Sequence, residues 1–277
     1  MTVRLATRGS PLALRQTDIV GRLLGVAFEP VVVSTRGDRN RTVAAEDIAG
    51  GPGVFTAEVD AAVLDGRADA AVHSAKDLPT SLTPGVAMVA VPERADPRDA
   101  LVGQSLDDLP DGAVVATDSP RRKAQLSVHR PDLRFVLLRG NVGTRLRKLD
   151  AGEADAIVLA MAGLIRLGVD RTDIYPLEPD VVMPAMAQGA LAVTARAGDE
   201  PSSSVLRRID RPELREAVTA ERAAIAALEG GCTFPAGALA RDGRISIVVV
   251  VDGSLRRSEG PLADAANLAL CLVSSVS

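Results

Sequence analysis

The feature that most constrains the fold of this chain is an internal repeat. Three segments recur in the same order, and the pairs are residues 5–11 (LATRGSP) with 115–120 (VATDSP), 32–38 (VVSTRGD) with 135–141 (FVLLRGN), and 64–72 (LDGRADAAV) with 149–158 (LDAGEADAIV). Each pair alone is weak evidence, because turns between strands and helices commonly use Ser, Pro and Gly. Three pairs in one order predict two lobes of similar fold.

Within each repeat, short apolar runs alternate with helical patterns, which is typical of a parallel α/β sheet. Ser10 followed by Pro11 predicts a helix start, because Ser caps a helix and Pro is tolerated at its first position. After about residue 210 the pattern changes to a long alanine-rich helix, two strands and a last helix from near Pro261. The predicted fold class is therefore α/β, with two doubly wound lobes and a small α+β C-terminal domain.

The predicted domain boundaries follow from these patterns. Lobe 1 is expected over residues 1–92 and 190–209, lobe 2 over 97–185, and the C-terminal domain over 212–277. A chain of 277 residues is long enough for two or three domains, each with its own core.

Composition excludes several classes of function. The net charge of −4 provides no basic field, so nucleic acid is not an expected partner. No apolar run approaches the roughly 20 residues of a membrane-spanning helix, and the N-terminal residues lack the pattern of a signal peptide. We therefore expect a cytoplasmic protein with no membrane partner, and no feature of the sequence requires an oligomer.

Cysteine and histidine are scarce, with two residues of each type. A disulfide framework is not expected in a reducing compartment. Neither His73 nor His129 has neighbours at the spacing of metal ligands, so a histidine-based zinc site and a Ser-His-Asp triad are both unexpected.

Arginines cluster where the predicted strands end. In open α/β sheets, ligands bind beyond the C-terminal strand ends, where helix starts such as those at Ser10 and Ser119 present free N–H groups. The arginines predicted at this edge are Arg8, Arg36, Arg121, Arg122 and Arg139. The repeated set predicts a polyanion in a cleft between the lobes, although any single arginine is equally well explained as a solvated surface charge.

Two further segments carry candidate chemistry. Residues 73–79 (HSAKDLP) leave a buried strand with Lys76 and Asp77 side by side, and an Asp there can stabilise a developing positive charge. Cys232 follows two glycines, and a basic cleft would favour its thiolate. The alternatives are an ordinary Lys-Asp surface turn and an inert buried thiol, which is the commoner fate of cysteine.

A set of motifs, in order over nearly the whole chain, resembles porphobilinogen deaminase. The motifs are residues 6–14 (ATRGSPLAL), 72–79 (VHSAKDLP), 138–146 (LRGNVGTRL), 162–168 (AGLIRLG), 221–222 (ER) and 231–232 (GC). The resemblance implies three domains, of which the first two are lobes like those of periplasmic binding proteins. It also implies a transferase that condenses four porphobilinogen molecules into hydroxymethylbilane, with release of ammonia.

The resemblance also implies roles for single residues. Cys232 would form a thioether to a dipyrromethane cofactor, which primes the chain and stays bound. Asp77, with Lys76, would be catalytic: Asp77 would stabilise the cationic azafulvene formed as ammonia leaves and assist proton transfer. The implied cofactor-binding residues are Lys76, Asp77, Ser119, Arg121, Arg122, Arg139 and Arg145, and the implied substrate-binding residues are Arg8, Ser10, Arg166 and Gln188. No metal is implied.

Several positions depart from the pattern of the family. Pro52 and Ala57 stand where members commonly carry lysines, Asp118 stands where a serine is usual, and Ala187 replaces a usual glycine. Asp118 places a negative charge at a carboxylate site, so we expect weaker cofactor binding there.

Two other functions remain open from the sequence alone. A two-lobed carboxylate- or phosphate-binding module would not need the C-terminal domain with its Cys232. A cysteine-nucleophile transferase unrelated to pyrroles would usually need a histidine base, for which the sequence shows no recognisable arrangement.

Overall fold

The computed structural model describes residues 2–35, 56–229 and 235–274. Its contacts divide the chain into two compact units. Unit 1 comprises residues 1–94 and 190–215, and unit 2 comprises residues 95–189 and 216–277. The boundaries of the three sequence-based domains stay a prediction.

The strands and helices are numbered separately in chain order. The strands are β1 (Val3–Arg8), β2 (Phe28–Val33), β3 (Ala70–Ser74), β4 (Val86–Ala90), β5 (Asp99–Val102), β6 (Val114–Ala116), β7 (Arg134–Val136), β8 (Ala156–Ala160), β9 (Ile174–Leu177), β10 (Leu191–Arg196), β11 (Ala236–Arg241), β12 (Arg244–Val251) and β13 (Ser254–Pro261). The α-helices are α1 (Pro11–Leu24), α2 (Ala57–Leu64), α3 (Pro120–His129), α4 (Val142–Asp150), α5 (Met161–Leu167), α6 (Glu200–Leu206), α7 (Pro212–Glu229) and α8 (Ala265–Val273). Short 3₁₀ helices cover Ala75–Asp77, Arg207–Ile209 and Leu262–Asp264.

The sheet of unit 1 has the strand order β2-β1-β3-β10-β4. Strands β1, β2 and β3 are parallel, whereas β10 runs antiparallel to both of its neighbours. Helix α1 covers one face, where Val20 and Leu24 pack against Leu5 and Val72. Helix α2 covers the other face through Val59 and Val63. This lobe is therefore doubly wound, as the sequence predicts.

The sheet of lobe 2, within unit 2, has the equivalent order β7-β6-β8-β5-β9. Strands β6, β7 and β8 are parallel, and β5 is antiparallel to β8 and β9. Leu126 of α3 packs on one face of this sheet, and Leu149 of α4 and Leu164 of α5 pack on the other. The prediction of a second lobe of the same fold is confirmed.

The repeat in the sequence corresponds to equivalent contacts in the two lobes. Ser10 caps α1 by accepting from the Ala13 N–H at 3.2 Å, and Ser119 caps α3 by accepting from the Arg122 N–H at 3.4 Å. The Asp69 carboxylate accepts from the Arg4 N–H at 2.8 Å, as the Asp155 carboxylate does from the Val114 N–H at 2.7 Å.

The C-terminal part of unit 2 is an antiparallel sheet, β11-β12-β13. Helices α7 and α8 cover one face through residues that include Ala224 and Leu272, which confirms the small α+β domain. Strand β13 was not predicted from the sequence, because a polar edge strand has no apolar alternation to mark it. The last helix begins at Ala265 rather than near Pro261, after the 3₁₀ turn Leu262–Asp264.

The other face of this small sheet packs closely against lobe 2. The Ala238 N–H donates to the Pro184 carbonyl at 3.0 Å. Gly237 makes this approach possible, since a Cβ there would lie 2.5 Å from the carbonyl oxygens of Met183 and Pro184. A side chain at residue 237 would push the sheet away from lobe 2.

Candidate functional site

Unit 1 contains a pocket where the β1 and β3 strands end. Strand β1 ends in Arg8, Ser10 caps α1, and β3 leads into the 3₁₀ turn that holds Asp77. The residues that line the pocket are Arg8, Ser10, Leu12, Ala13, Gln16, Thr56, Val72, His73, Ser74 and Asp77. The structure thus brings together three residues that the sequence assigned to the site, Arg8, Ser10 and Asp77.

Asp77 is half-buried and faces this pocket. Within the part of the chain that the structure describes, its carboxylate makes no hydrogen bond. The neighbouring Leu78 is buried, which anchors the turn beneath the acid. A half-buried carboxylate that has no partner among the described residues is available to a cationic or N–H-bearing ligand.

The pocket wall is fixed by polar side chains that the sequence analysis did not assign to the site. The Gln16 amide nitrogen donates to the Ser74 hydroxyl at 2.8 Å, which ties α1 to the end of β3. His73 Nε2 lies 3.2 Å from the buried Asp60 carboxylate and 3.2 Å from the Thr194 hydroxyl. These contacts join residues up to 121 positions apart, so no local motif marks them.

In unit 2, Arg121 and Arg122 converge on Asp99, which is fully buried. Arg122 donates to Asp99 Oδ1 through Nε at 3.0 Å and Nη2 at 2.6 Å, and Arg121 Nη2 lies 2.8 Å from Asp99 Oδ2. The two guanidiniums also donate to the carbonyls of Val158 and Met183. Two of the four predicted cofactor-binding arginines, Arg121 and Arg122, are therefore paired within the unit.

Burial lowers the pKa of Arg121, Asp99 opposes that shift, and the charge of Arg122 lowers the pKa further. Two buried cations on one carboxylate leave a net positive charge, which makes Asp99 essential to the group. Asp99 was not identified from the sequence. It lies 22 and 23 positions before the arginines, and an isolated Asp in a short strand carries no signal.

Gln188 and Arg166, which were assigned to the substrate, also have internal partners. The Gln188 amide nitrogen donates to Asp99 Oδ1 at 2.9 Å and to the Pro97 carbonyl at 2.8 Å. Arg166 Nη2 donates to the Gly189 carbonyl at 2.7 Å. Gly189 has a φ of +86°, and a Cβ there would clash with the Ala95 carbonyl oxygen. These contacts hold the segment 187–189 against residues 95–99.

Arg139 and Arg145 surround Asp118, and in this group it is the arginine donors, rather than a carboxylate oxygen, that are left without a close partner among the described residues. Arg145 Nη2 lies 3.3 Å from Asp118 Oδ2, and Arg139 Nη1 lies 4.0 Å from the same oxygen. Among the described residues, Arg139 Nε and Nη2 are buried and have no hydrogen-bond partner. Buried donors without partners are costly, so this group is suited to an additional anion.

The electrostatics of Arg145 agree with that conclusion. Burial lowers the pKa of its guanidinium, the Asp118 charge raises it, and the charges of Arg122 and Arg139 lower it. A further carboxylate beside this cluster would offset the repulsion among the arginines.

For two further predicted site residues, the structure gives the position in the fold and the burial. Lys76 is half-buried in the turn Ala75–Asp77, and Ser119 is half-buried as the cap of α3. Arg36, Pro52 and Cys232 lie outside the described residues. The predicted polyanion cleft between the lobes stays a prediction.

Glu221 of α7 connects the C-terminal domain to the segment that holds Gln188. Its buried carboxylate accepts from the Ala187 N–H at 2.6 Å and from the Ala240 N–H at 2.7 Å. Ala187 has a φ of +57°, in the left-handed region that disfavours residues with a Cβ. The Glu221 contact helps to hold this strained backbone in place.

Replacing Glu221 with alanine should lower the free energy of unfolding by about 2–4 kcal/mol, because two buried N–H groups lose their acceptor. Glu221→Gln keeps one acceptor and should cost less. Chemical denaturation measures both effects. Glu216→Ala, which removes an exposed carboxylate from the same helix, is the control and should change stability by less than about 0.5 kcal/mol. Equal stability of Glu221→Ala and the control would contradict the assignment.

Fold and site together define a two-lobed α/β protein with a pocket acid in one unit and a group of buried arginines in the other. Residues 3–204 match the family model "Porphobilinogen deaminase, dipyromethane cofactor binding domain", and residues 215–265 match "Porphobilinogen deaminase, C-terminal domain". The chain belongs to the porphobilinogen deaminase family, which is that of hydroxymethylbilane synthase. The reaction of this family is the head-to-tail condensation of porphobilinogen in tetrapyrrole synthesis.

Curated relatives agree with the family models. The porphobilinogen deaminase of Roseiflexus castenholzii (strain DSM 13941 / HLO8) is 49% identical over 249 residues, which cover 86% of this chain and 81% of the relative. The porphobilinogen deaminase of Rubrobacter xylanophilus (strain DSM 9941 / JCM 11954 / NBRC 16129 / PRD-1) is 48% identical over 242 residues, which cover 85% of this chain and 79% of the relative.

Among solved structures, a nutrient binding protein from Burkholderia cenocepacia bound to methionine matches with a TM-score of 0.45 and 13% identity, covering 78% of this chain and 95% of that one. A similarity this low does not identify a ligand for this chain.

The Arg139 group fits a dipyrromethane cofactor. Each pyrrole of that cofactor carries an acetate and a propionate, and the buried Nε and Nη2 of Arg139 are donors that such a carboxylate would satisfy. Among the described residues, no cluster of His, Cys, Asp or Glu is suited to a metal ion. None of the described helices is both long enough and apolar enough to cross a membrane.

Proposed function

We propose that Asp77 is the acid on which the condensation depends and that its pocket in unit 1 receives the pyrrole substrate. The observation that supports this is the position of Asp77 beside Arg8 and Ser10 in one pocket. A porphobilinogen molecule has ring N–H and ammonium donors at one side and two carboxylates at the other. An acid and an arginine in the same pocket match both parts.

Asp77 has two roles in the reaction: it stabilises the cationic pyrrole and it takes part in proton transfer. When ammonia leaves the substrate, positive charge spreads onto the pyrrole ring, and a carboxylate at hydrogen-bond distance from the ring N–H lowers the energy of that cation. The same carboxylate can hold a proton while the new carbon–carbon bond forms between two rings. Lys76, next to it, contributes a positive charge for a substrate or cofactor carboxylate.

Arg8 and the start of α1 bind the acid groups of the substrate. Arg8 is the last residue of β1 and lines the pocket, and the first N–H groups of α1 lie just beyond Ser10. Arg166 and Gln188, which belong to unit 2, are also proposed to bind the substrate. Their contacts with Gly189 and Asp99 keep the segment 187–189 in one conformation.

The cofactor is held by the arginines of unit 2 and by Cys232. Arg139 and Arg145 bind its carboxylates directly, with Ser119 at the start of α3. Arg121 and Arg122 supply positive charge next to that site while they remain paired with Asp99. Cys232 forms the thioether that keeps the cofactor bound between reaction cycles. When bound, the cofactor supplies the ring carbon to which the first substrate is joined.

The proposal also covers the oligomeric state, compartment and partners of the enzyme. It acts as a monomer in the cytoplasm on a small-molecule substrate, without nucleic acid or membrane as a partner. The net charge of −4 supports the absence of nucleic acid.

Intact-mass analysis of the purified full chain tests the proposed cofactor anchor. The wild-type mass should exceed the sequence mass by two linked pyrrole units, and Cys232→Ala should lose this adduct completely, because a thioether needs the sulfur. Cys271→Ala is the matched control, since Cys271 is the exposed free cysteine of α8, and it should keep the adduct.

An unmodified wild-type chain that gives no pyrrole colour reaction would support a carboxylate-binding module instead. An adduct that persists in Cys232→Ala would place the anchor at another residue.

A further inference from the structure

The carboxylate of Asp118 occupies part of the arginine site to which ligand carboxylates are assigned. Its Oδ2 lies 3.3 Å from Arg145 Nη2, within an ion pair, and 4.0 Å from Arg139 Nη1, beyond hydrogen-bond distance. The Asp118 side chain is 25% exposed, compared with 0% for that of Asp99. Asp118 is therefore bound less completely than the carboxylate that holds Arg121 and Arg122.

Asp118 does not pair with all the hydrogen-bond donors of the arginines around it. Arg139 Nε and Nη2 are buried without a partner among the described residues, although a carboxylate lies 4.0 Å from Nη1 of the same guanidinium. A guanidinium presents its donors in a planar fork that one carboxylate can fill with two hydrogen bonds. Asp118 does not make that arrangement with Arg139, so the fork remains open to a second carboxylate.

Asp118 is not needed to position Arg145. Arg145 Nε donates to the Gly140 carbonyl at 3.0 Å, and Asn141 caps α4 by accepting from the Thr144 N–H at 2.9 Å. These contacts fix the guanidinium and its helix independently of Asp118. The remaining effect of Asp118 on the site is electrostatic: its negative charge repels a second carboxylate and competes for Arg145.

We propose that Asp118 is an internal competitor that sets how strongly this site binds the carboxylates of the cofactor and the growing chain. The inference rests on the proposed function of Arg139 and Arg145 as carboxylate ligands. An incoming carboxylate takes the open fork of Arg139 and displaces Asp118 from Arg145. Asp118 thus weakens the capture of pyrrole acids, and removing its charge strengthens that capture.

The experiment measures cofactor assembly on the full chain produced without porphobilinogen. Porphobilinogen is added, and the fraction of chain with the two-pyrrole adduct is followed by intact mass. Asp118→Asn, which keeps the shape and removes the charge, should assemble the cofactor roughly two- to fivefold faster at limiting porphobilinogen, as expected for the loss of one partly exposed charge contact. Asp118→Ser should behave in the same way.

Two further variants separate charge from other effects. Asp118→Glu keeps the charge and should stay near the wild-type rate. Asp173→Asn is the control, because Asp173 also pairs with an arginine in unit 2, at 2.7 Å and with 27% side-chain exposure, and it should leave assembly unchanged. Each rate is compared at equal folded fraction, measured by circular dichroism.

Assembly by Asp118→Asn that is equal to or slower than wild type would overturn the proposal, as would an increase shared by Asp118→Glu or Asp173→Asn. Failure of the underlying function looks different: if Arg139 and Arg145 do not bind these carboxylates, Arg139→Gln, measured alongside, would assemble the adduct at the wild-type rate.

Discussion

Asp77→Asn is expected to lower turnover by about 10²- to 10⁴-fold, the usual contribution of a positioned acid or base. The amide has nearly the shape of the carboxylate, so the pocket beside Arg8 and Ser10 should persist. It lacks the negative charge that stabilises a cationic pyrrole, and it cannot take up a proton. The rate of hydroxymethylbilane formation measures the effect, and it is followed by the absorbance of the porphyrin that the product yields after ring closure with loss of water and then oxidation.

Stability and cofactor content separate a chemical effect from a structural one. Asp77 is only half-buried and its carboxylate has no partner among the described residues, so the free energy of unfolding of Asp77→Asn should lie within about 0.5 kcal/mol of wild type. It should also keep the pyrrole adduct or a stalled intermediate. Asp65→Asn, at a 62% exposed carboxylate of the same unit, is the control and should retain full turnover. Near wild-type turnover of Asp77→Asn would refute the role given to this acid.

Asp99→Asn should destabilise the protein by about 3–5 kcal/mol, the typical cost of removing one partner from a buried ion pair. Asp99 has 0% exposure, and it is paired with two guanidiniums whose side chains are each 8% exposed. Without its charge, two buried cations remain beside each other. The loss should appear as a lower denaturation midpoint in guanidinium chloride or urea.

The charge balance of this group makes the prediction specific. One carboxylate and two guanidiniums have a net charge of +1, which becomes +2 in Asp99→Asn and 0 in Arg122→Met. Arg122→Met should therefore be the milder variant, although it removes a larger side chain. If Arg122→Met is instead the more damaging of the two, packing rather than charge dominates the group. Cofactor assembly in Arg122→Met tests separately whether this arginine also supports carboxylate binding.

Local sequence patterns predicted most of the helices and strands, because the residues that mark the start or end of each one lie within a few positions of one another. Ser10 and Ser119 each precede a proline, and both cap a helix as expected. Gly66 and Gly152 occupy equivalent places in the repeat, and both have a left-handed φ, of 74° and 78°. Strand β13 was missed because its residues are mostly polar at a sheet edge, where hydrophobic alternation is weak.

The candidate site was only partly predictable. The motif residues Arg8, Ser10 and Asp77 lie at strand ends, and a repeat of strands and helices brings such ends to one edge of a sheet. The buried acids that pair with Arg121 and Arg122 or hold the segment 187–189 could not be found in this way. Asp99 and Glu221 are single acids in apolar or alanine-rich segments, and their roles depend on contacts with residues 19 to 89 positions away.

The sequence by itself determined the two lobes, the C-terminal domain, the family and the residues that carry its motifs, because periodicity and motif order are properties of the linear chain. Only the tertiary structure decided which arginines are already paired with a buried carboxylate. Arg121 and Arg122 are paired with buried Asp99, whereas Arg139, beside Asp118, has two buried donors without a partner among the described residues. The physical reason is that desolvation and pairing depend on three-dimensional distance, and arginines that look alike in the sequence differ in the carboxylates that folding brings to them.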